Sequence, residues 1–358
     1  MKKNILLITE SLSNGGSEKV LSTLSNELVK YHNIYIVLSN YSNKDYIIDK
    51  KIKVYEIKEL MSKNPFKRIT GIRKLKKYKK NNKIDTSISF ITSFNLFNVL
   101  SRVNDKVIVS TRNHLSTKKE SFIARLSTKY YNKHCDLNVC PSKSVYIDQI
   151  DNFNANKNKT IVINNFININ KDIKIVNKDN IIITIGRLTD HKGQIHIINA
   201  MKEVIKKVPD AKLLILGRGP LYEYFDTYIK DNNLDNNIEL LGFKPNIPDY
   251  LKKSKVFVIT SYYEGLSNSL LEAMSYGIPV IASDSNGGNK EVIDDKYGIL
   301  IPDFYNNHDI EDNEKLLAKE IINILNNKKN YEYYSKKSLE RAKDFDKNVI
   351  IKKWMDIL

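Results

Sequence analysis

At 358 residues, 41% of them apolar, the chain is too long for one ordinary core and holds enough apolar material for two. Its formal net charge of +17 is unevenly placed: residues 1–165 carry thirty Lys/Arg against thirteen Asp/Glu, whereas residues 166–358 carry twenty-eight of each. No apolar run approaches the ~20 residues of a membrane span. The opening MKKNILLITESL is basic then apolar but too short in its apolar part for a secretory signal. Cys135 and Cys140 read as reduced packing residues, so the chain is expected to be cytosolic.

In chain order, NILLI (4–8), the loop TESLSNGGSEK, an amphipathic stretch with Val20, Leu21, Leu24 and Leu28, and IYIVL (34–38) predict a βαβ unit of a parallel sheet. The next feature is KRITGIRKLKKYKKNNK (67–83), with nine basic residues in seventeen. Ile69, Ile72, Leu75 and Tyr78 recur at spacing three, so the spacing predicts an amphipathic helix with a narrow apolar stripe and a cationic face that includes Arg73, Lys74, Lys76, Lys77, Lys79 and Lys80. Three readings fit such a face: a solvated helix, a dock for an anionic membrane, or a nucleic-acid surface. The last lacks the interleaved aromatics of single-strand binders and any zinc-finger or helix-turn-helix spacing, so no nucleic acid is expected. Further strands are predicted at SISFI (87–91), KVIVS (106–110), LNVC (137–140) and TIVIN (160–164).

Residues 1–165 therefore read as one doubly wound α/β domain, and the polar NFININKDIKIVNKDN (165–180) contains a linker, assigned to 166–180. A second alternating series follows over 181–345: IIITIG (181–186), a helix around 194–207, KLLILG (212–217), a helix around 221–231, IELLG (238–242), KVFVIT (255–260), a helix 268–276, PVIAS (279–283) and GILI (298–301). Two Rossmann-like domains are expected to face each other across a cleft, where ligands of open α/β sheets bind.

The loops after the predicted strands carry the chemistry. Gly15 and Gly16 allow a left-handed turn or a close backbone approach ahead of a helix start near Ser17, although a plain turn fits as well. In GRLTDHKGQ (186–194), Arg187 and Lys192 suit a diphosphate: the guanidinium forks to two oxygens and the ammonium supplies a point charge. In EGLSNSLLEAM (264–274), Glu264 stands in the loop where sugar hydroxyls can meet it. Gly265, Leu266, Ser267 and Asn268 offer backbone amides, with Ser267 or Asn268 as the helix cap, and Glu272 projects one turn inside, where it can bind a ribose diol. The six histidines, at 32, 114, 134, 191, 196 and 308, show no metal-ligand spacing, and the only D-x-D, at 344–346, lies beside the terminal helix.

The E-x7-E pair Glu264/Glu272 followed by AM and GIPVIA, together with GRLTDHKG, ILGRGP (215–220), LLGF (240–243), GGNKEVI (287–293) and the NGG loop, resembles the retaining GT-B glycosyltransferases grouped as glycosyltransferase family 4. The ending DFDKNVIIKKWMDIL resembles that family's last helix, so 346–358 is expected to cross back onto the first domain, the side that holds the acceptor. The resemblance implies that Arg187 and Lys192 neutralise the nucleotide diphosphate, that Gly186 belongs to the same loop, and that Gly16 faces the diphosphate. It further implies that Glu272 holds the ribose, that Glu264 and the 265–268 backbone meet the donor sugar, and that Gly242 and Phe243 hold the base. In STRNHLS (110–116), Arg112, Asn113 and His114 all stand where members meet the sugar, and His114 is favoured.

The implied activity is transfer of a sugar, from a UDP-sugar rather than a GDP-sugar, with retention by front-face attack and the leaving phosphate as base. No metal or other cofactor is implied. The basic first half suggests a lipid-linked glycan acceptor at an anionic membrane surface, as in synthesis of a capsule or O-antigen on a polyprenyl diphosphate. A UDP-sugar epimerase on the same scaffold and a non-catalytic sugar- or nucleic-acid-binding protein are the competing readings.

Overall fold

The computed structural model describes residues 1–13, 15–41, 46–117, 121–169, 173, 178–305 and 309–358. The chain forms two compact units, Met1–Asn165 with Asn348–Leu358, and Phe166–Lys347. The expected linker 166–180 falls partly outside the described residues, and its described part belongs to the second unit.

Unit 1 contains β1 (Asn4–Thr9), α1 (Gly16–Leu28), β2 (Asn33–Leu38), β3 (Lys53–Glu56), α2 (Pro65–Asn81), β4 (Thr86–Phe90), α3 (Thr92–Leu100), β5 (Lys106–Ser110), α4 (Phe122–His134), β6 (Leu137–Cys140), α5 (Lys143–Phe153) and β7 (Thr160–Val162). The strands form one parallel sheet in the order β3-β2-β1-β4-β5-β6-β7. Right-handed crossovers then place α2, α3, α4 and α5 on one face and α1 on the other. The strand β3 escapes a pattern search because it is four residues long and only half-buried. Cys135 and Cys140 are free and buried.

The helix α2 forms where its periodicity indicates, but starts earlier, because Asn64 accepts hydrogen bonds from the amides of Phe66 and Lys67 and Pro65 takes the first turn. Leu75 is fully buried against Leu6, Val37 and Phe94, with Ile72 and Tyr78 partly buried beside it. Lys79 corrects the sequence reading. It does not belong to the cationic face: its side chain is 0% exposed. Its Nζ donates to Asp105 Oδ2 at 2.9 Å, Ser87 Oγ at 3.2 Å, and Asn98 O and Oδ1 at 3.0 and 2.7 Å. Spacing three drifts around a helix of 3.6 residues per turn, so the position after Tyr78 rotates into the core.

Unit 2 contains β8 (Ile181–Ile185), α6 (Gln194–Lys207), β9 (Lys212–Leu216), α7 (Tyr222–Asp231), β10 (Ile238–Gly242), α8 (Ile247–Lys253), β11 (Val256–Ile259), β12 (Tyr263–Glu264), α9 (Asn268–Ser275), β13 (Val280–Ser283), β14 (Asn286–Gly287), α10 (Gly288–Ile293), β15 (Ile299–Ile301), α11 (Ile310–Asn326) and α12 (Lys328–Ala342). Its main sheet is parallel, in the order β10-β9-β8-β11-β13-β15, with β12 and β14 paired apart from it. One core lies between the sheet and α6, α7 and α11, and another between the sheet and α8, α9 and α10. The last helix, α13 (Lys347–Asp356), packs in unit 1: Trp354 is fully buried with its ring 6.1 Å from that of Phe90, and Lys3 and Lys106 donate to the carbonyls of Leu358 and Ile357.

A buried pair of this kind fails badly when half of it is removed. Burial lowers the Lys79 ammonium to about 8. Burial works against the Asp105 carboxylate too, yet the Lys79 charge and donors from Ser87 and Val103 outweigh it and hold Asp105 below its usual range. Asp105→Ala or Lys79→Met should each cost about 3–5 kcal/mol in urea unfolding, and Lys79→Met/Asp105→Leu less than either single change. As pH falls the unfolded Asp105 takes up its proton first, so the pair's stabilisation, present above about pH 4, should be lost below that value in wild type and be missing from the double variant.

Candidate donor-binding site

The order of the unit 2 sheet reverses between β8 and β11, so the segments leaving these two adjacent strands run in opposite directions around the sheet. Ligands of open α/β sheets bind at this point. The two segments here are Gly186–Gly193 and Thr260–Ser267, the loops that sequence patterning singled out.

They are joined along their length. Tyr262 N donates to His191 O at 2.8 Å and Thr260 Oγ1 to Gly193 O at 2.7 Å. The rings of His191 and Tyr263 stack at 5.1 Å. Lys192 Nζ is ion-paired to Glu264 Oε1, with side chains 19% and 14% exposed, and Ser261 Oγ donates to the same oxygen at 3.1 Å. Gly193 adopts φ +60°, and a Cβ there would lie 2.4 Å from Thr260 O, so glycine is required twice over. Lys192 and Glu264, 72 residues apart in sequence, thus form one charged pair. Arg187, in the same loop as Lys192, is exposed, with no ion pair among the described residues.

The helix α9 is capped by Ser267, which accepts from Leu270 N, and this decides between the two candidate caps. Its first turn is pinned to β8 by Ser269 Oγ donating to Ile185 O at 3.0 Å. The amides expected to be open are not all open: Ser267 N donates to Asn289 Oδ1 at 3.1 Å, and Leu266 and Ser267 are buried. Gly265 O accepts from Gly288 N at 3.0 Å. Asn268 opens the helix, and Glu272 lies half-buried one turn further on.

The neighbouring loops are fastened through backbone: Gly186 N to Leu216 O, Leu188 N to Arg218 O, and Gly217 N to Gly242 O, each at 2.9–3.0 Å. A Cβ at Gly217 would stand 1.8 Å from Gly186 O. Gly242 has φ +67° and open space on its Cβ side, and Arg218 sits 5.6 Å over the half-exposed Phe243 ring. Arg218, Ser261 and Asn289 carry no role in the sequence reading. Arg218 and Asn289 are marked only by their seats in ILGRGP and GGNKEVI, beside glycines, and Ser261 only by its place in the loop that leads to Glu264.

In unit 1 the corresponding reversal lies between β1 and β4. Gly15 has φ −115°, so there is no left-handed turn at that residue; the Glu18 carboxylate occupies the space a Cβ would take, and Gly16 begins α1. Asn14 of the NGG loop lies outside the described residues. After β4, Ile91 holds φ +83°, which a β-branched residue seldom adopts. After β5, Arg112 is tied to Asn165 Oδ1 and Ser110 Oγ and lies 5.5 Å over Phe90, while Asn113 is exposed. His114 Nδ1 lies 3.3 Å from Ser116 Oγ and 3.8 Å from the buried carboxylate of Asp148, which also accepts from Leu115 N at 2.8 Å. No partner meets His114 Nε2 among the described residues. No group of three His, Cys, Asp or Glu suited to a metal ion occurs among the described residues, His308 lying outside them.

Comparison with known proteins identifies the family and the fold. A family model described as Glycosyltransferase Family 4 matches residues 14–171, and one described as Glycosyl transferases group 1 matches residues 165–341. The chain is 34% identical over 310 residues to an uncharacterized glycosyltransferase of Methanocaldococcus jannaschii, covering 75% of this chain and 76% of that one. It is 28% identical, over 94% of both chains, to the N-acetylgalactosamine-N,N'-diacetylbacillosaminyl-diphospho-undecaprenol 4-alpha-N-acetylgalactosaminyltransferase of Campylobacter jejuni. The crystal structure of Anabaena HepE in complex with UDP-glucose superposes with a TM-score of 0.84 at 18% identity over 99% of this chain and all of that one, which shows the GT-B fold. The two doubly wound sheets and the matches that run through both of them place this chain in glycosyltransferase family 4, among the group 1 glycosyl transferases.

Proposed function

We propose that this glycosyltransferase moves a sugar, with retention, from a UDP-sugar to a glycan carried on a polyprenyl diphosphate during synthesis of a surface polysaccharide. The observation that carries the reading is the Lys192–Glu264 pair, held at the sheet reversal in the two loops that also carry Arg187 and lead into α9. When the C1–oxygen bond of a nucleotide-sugar breaks, negative charge grows on the diphosphate. Lys192, Arg187 and the helix N-terminus are positive groups that the two loops bring to such a leaving group, together worth several kcal/mol to it. No metal is then needed for its departure. Glu272 would accept both ribose hydroxyls, Gly242 and Phe243 would hold the base, and Glu264 would meet the sugar as Lys192 turns towards phosphate. In unit 1, His114 is the choice of the three loop residues for the sugar: Asp148 and Ser116 steady one ring nitrogen while the other has no partner among the described residues. Retention would come from front-face attack, with the leaving phosphate taking the acceptor's proton, because the loops offer no convincing second carboxylate to serve as the nucleophile of a double displacement.

The acceptor class rests on the Campylobacter relative, whose name specifies a diphospho-undecaprenol carrier, and on the unit 1 surface. Arg73, Lys74, Lys76, Lys77 and Lys80 are exposed on α2, alongside Phe66 at 78% and Ile69 at 47%. On α4, which shares that sheet face, Phe122 and Ile123 are each 75% exposed. Cations over apolar side chains suit anionic lipid, at about 1 kcal/mol per charge near the surface.

Calorimetric titration in EDTA should show UDP binding well above GDP and ADP, with Glu272→Ala weakening it at least tenfold, about the 1.5–3 kcal/mol of charged hydrogen bonds. Equal binding by wild type and variant would remove Glu272 from the ribose. Changing Lys74, Lys76, Lys77 and Lys80 together to Glu should cut co-sedimentation with phosphatidylglycerol vesicles by at least tenfold; unaltered sedimentation would end the membrane assignment.

A further inference from the structure

Behind the donor loops lies a buried polar chain that the proposed chemistry does not use. His196, 4% exposed on the first turn of α6, is 2.7 Å from Glu314 Oε1 through Nδ1 and 3.0 Å from the Tyr262 hydroxyl through Nε2. Its ring stacks on Phe304, centroids 4.2 Å apart. Glu314, on α11, also accepts from Asn199 Nδ2 at 2.9 Å, and Asn199 Oδ1 accepts from the Tyr228 hydroxyl at 2.7 Å. The hydrogen-bond roles follow from the chemistry. A carboxylate only accepts, so Nδ1 carries a proton; Nε2 and the Tyr262 hydroxyl complete the chain as a hydrogen-bonded pair. Burial raises the Tyr262 hydroxyl above its ordinary pKa and keeps it protonated.

Tyr262 is the residue whose backbone amide joins the two donor loops, and it lies two positions before Glu264. Its ring packs against the side of Gly193, where a Cβ would come within 3.2 Å of Cε1. We propose that Glu314, His196 and Tyr262 are positioning residues: a tether from α11 through α6 that sets the β11 loop, and with it the Lys192–Glu264 pair, before a donor arrives. The consequence for donor binding rests on the reading of that pair given above. A loop that must order itself on binding weakens affinity, so a tether that pays this cost in advance tightens it.

The test is amide hydrogen–deuterium exchange on nucleotide-free wild type, Tyr262→Phe and Glu314→Ala, with UDP titration alongside. Tyr262→Phe removes one hydroxyl and keeps the ring, so the fold should persist. We expect faster exchange confined to peptides over 189–193 and 260–265, and UDP binding about tenfold weaker in both variants. The double variant should exchange no faster there than Glu314→Ala alone, because both changes cut the same chain. Unchanged exchange in those peptides would overturn the tether. So would faster exchange spread evenly over unit 2, the sign of ordinary lost packing. If wild type bound no UDP, the donor reading would fall, and the exchange comparison would still uphold or overturn the tether by the same two outcomes.

Discussion

At a reversal of strand order, two chain segments leave adjacent parallel strands and turn apart, so no crossover helix covers the gap between them. Their backbone groups must find partners in one another or in a ligand. In unit 2 that constraint governs everything around it. The loops after β8 and β11 meet so closely that Gly193 has no space for a Cβ against Thr260 O, and the loops after β9 and β10 are drawn in through Gly217 and Gly242. Glycines at these places are the condition for close approach. The charged pair Lys192–Glu264 then sits on loops that backbone hydrogen bonds join to one another.

The same chain uses basic residues in two physically different ways. On α2, most of the cations project into water, where each costs little, Lys74 pairing there with Glu59. Lys79 is the exception: it lies in the core and makes four hydrogen bonds, with Asp105 as counter-ion. Burying an ammonium is tolerable only when every donor is satisfied, so this lysine ties α2 to the sheet and to the end of α3 instead of serving the surface. Net charge overstates the binding surface by such residues.

Parallel strands buried on both faces read as short apolar runs, and helices between them read by their period, so most of the alternation of β and α was visible in the sequence, the short half-buried β3 excepted. So were the loops with chemistry in them, because a carboxylate, a glycine and a helix cap seldom fall together in EGLSN for packing reasons alone. The cationic stripe of α2 was visible as well, up to the point where its period carried Lys79 inward. These features depend on near neighbours in the chain, which is what a sequence displays.

Other features depend on distance in sequence. That Lys192 meets Glu264, that Asn289 takes the amide of Ser267, and that Glu314 reaches Tyr262 through His196 all require the ends of β8 and β11 to be brought together with α6, α10 and α11. Composition and spacing along 358 residues do not encode which polar atoms end within 3 Å of each other across such separations. By itself the sequence determined two α/β units, the family and the loops that bear its chemistry, because periodicity and motif spacing are local. Only the tertiary structure decided which charges are paired, which amides are already spent and which lysine is buried, because those depend on packing and desolvation.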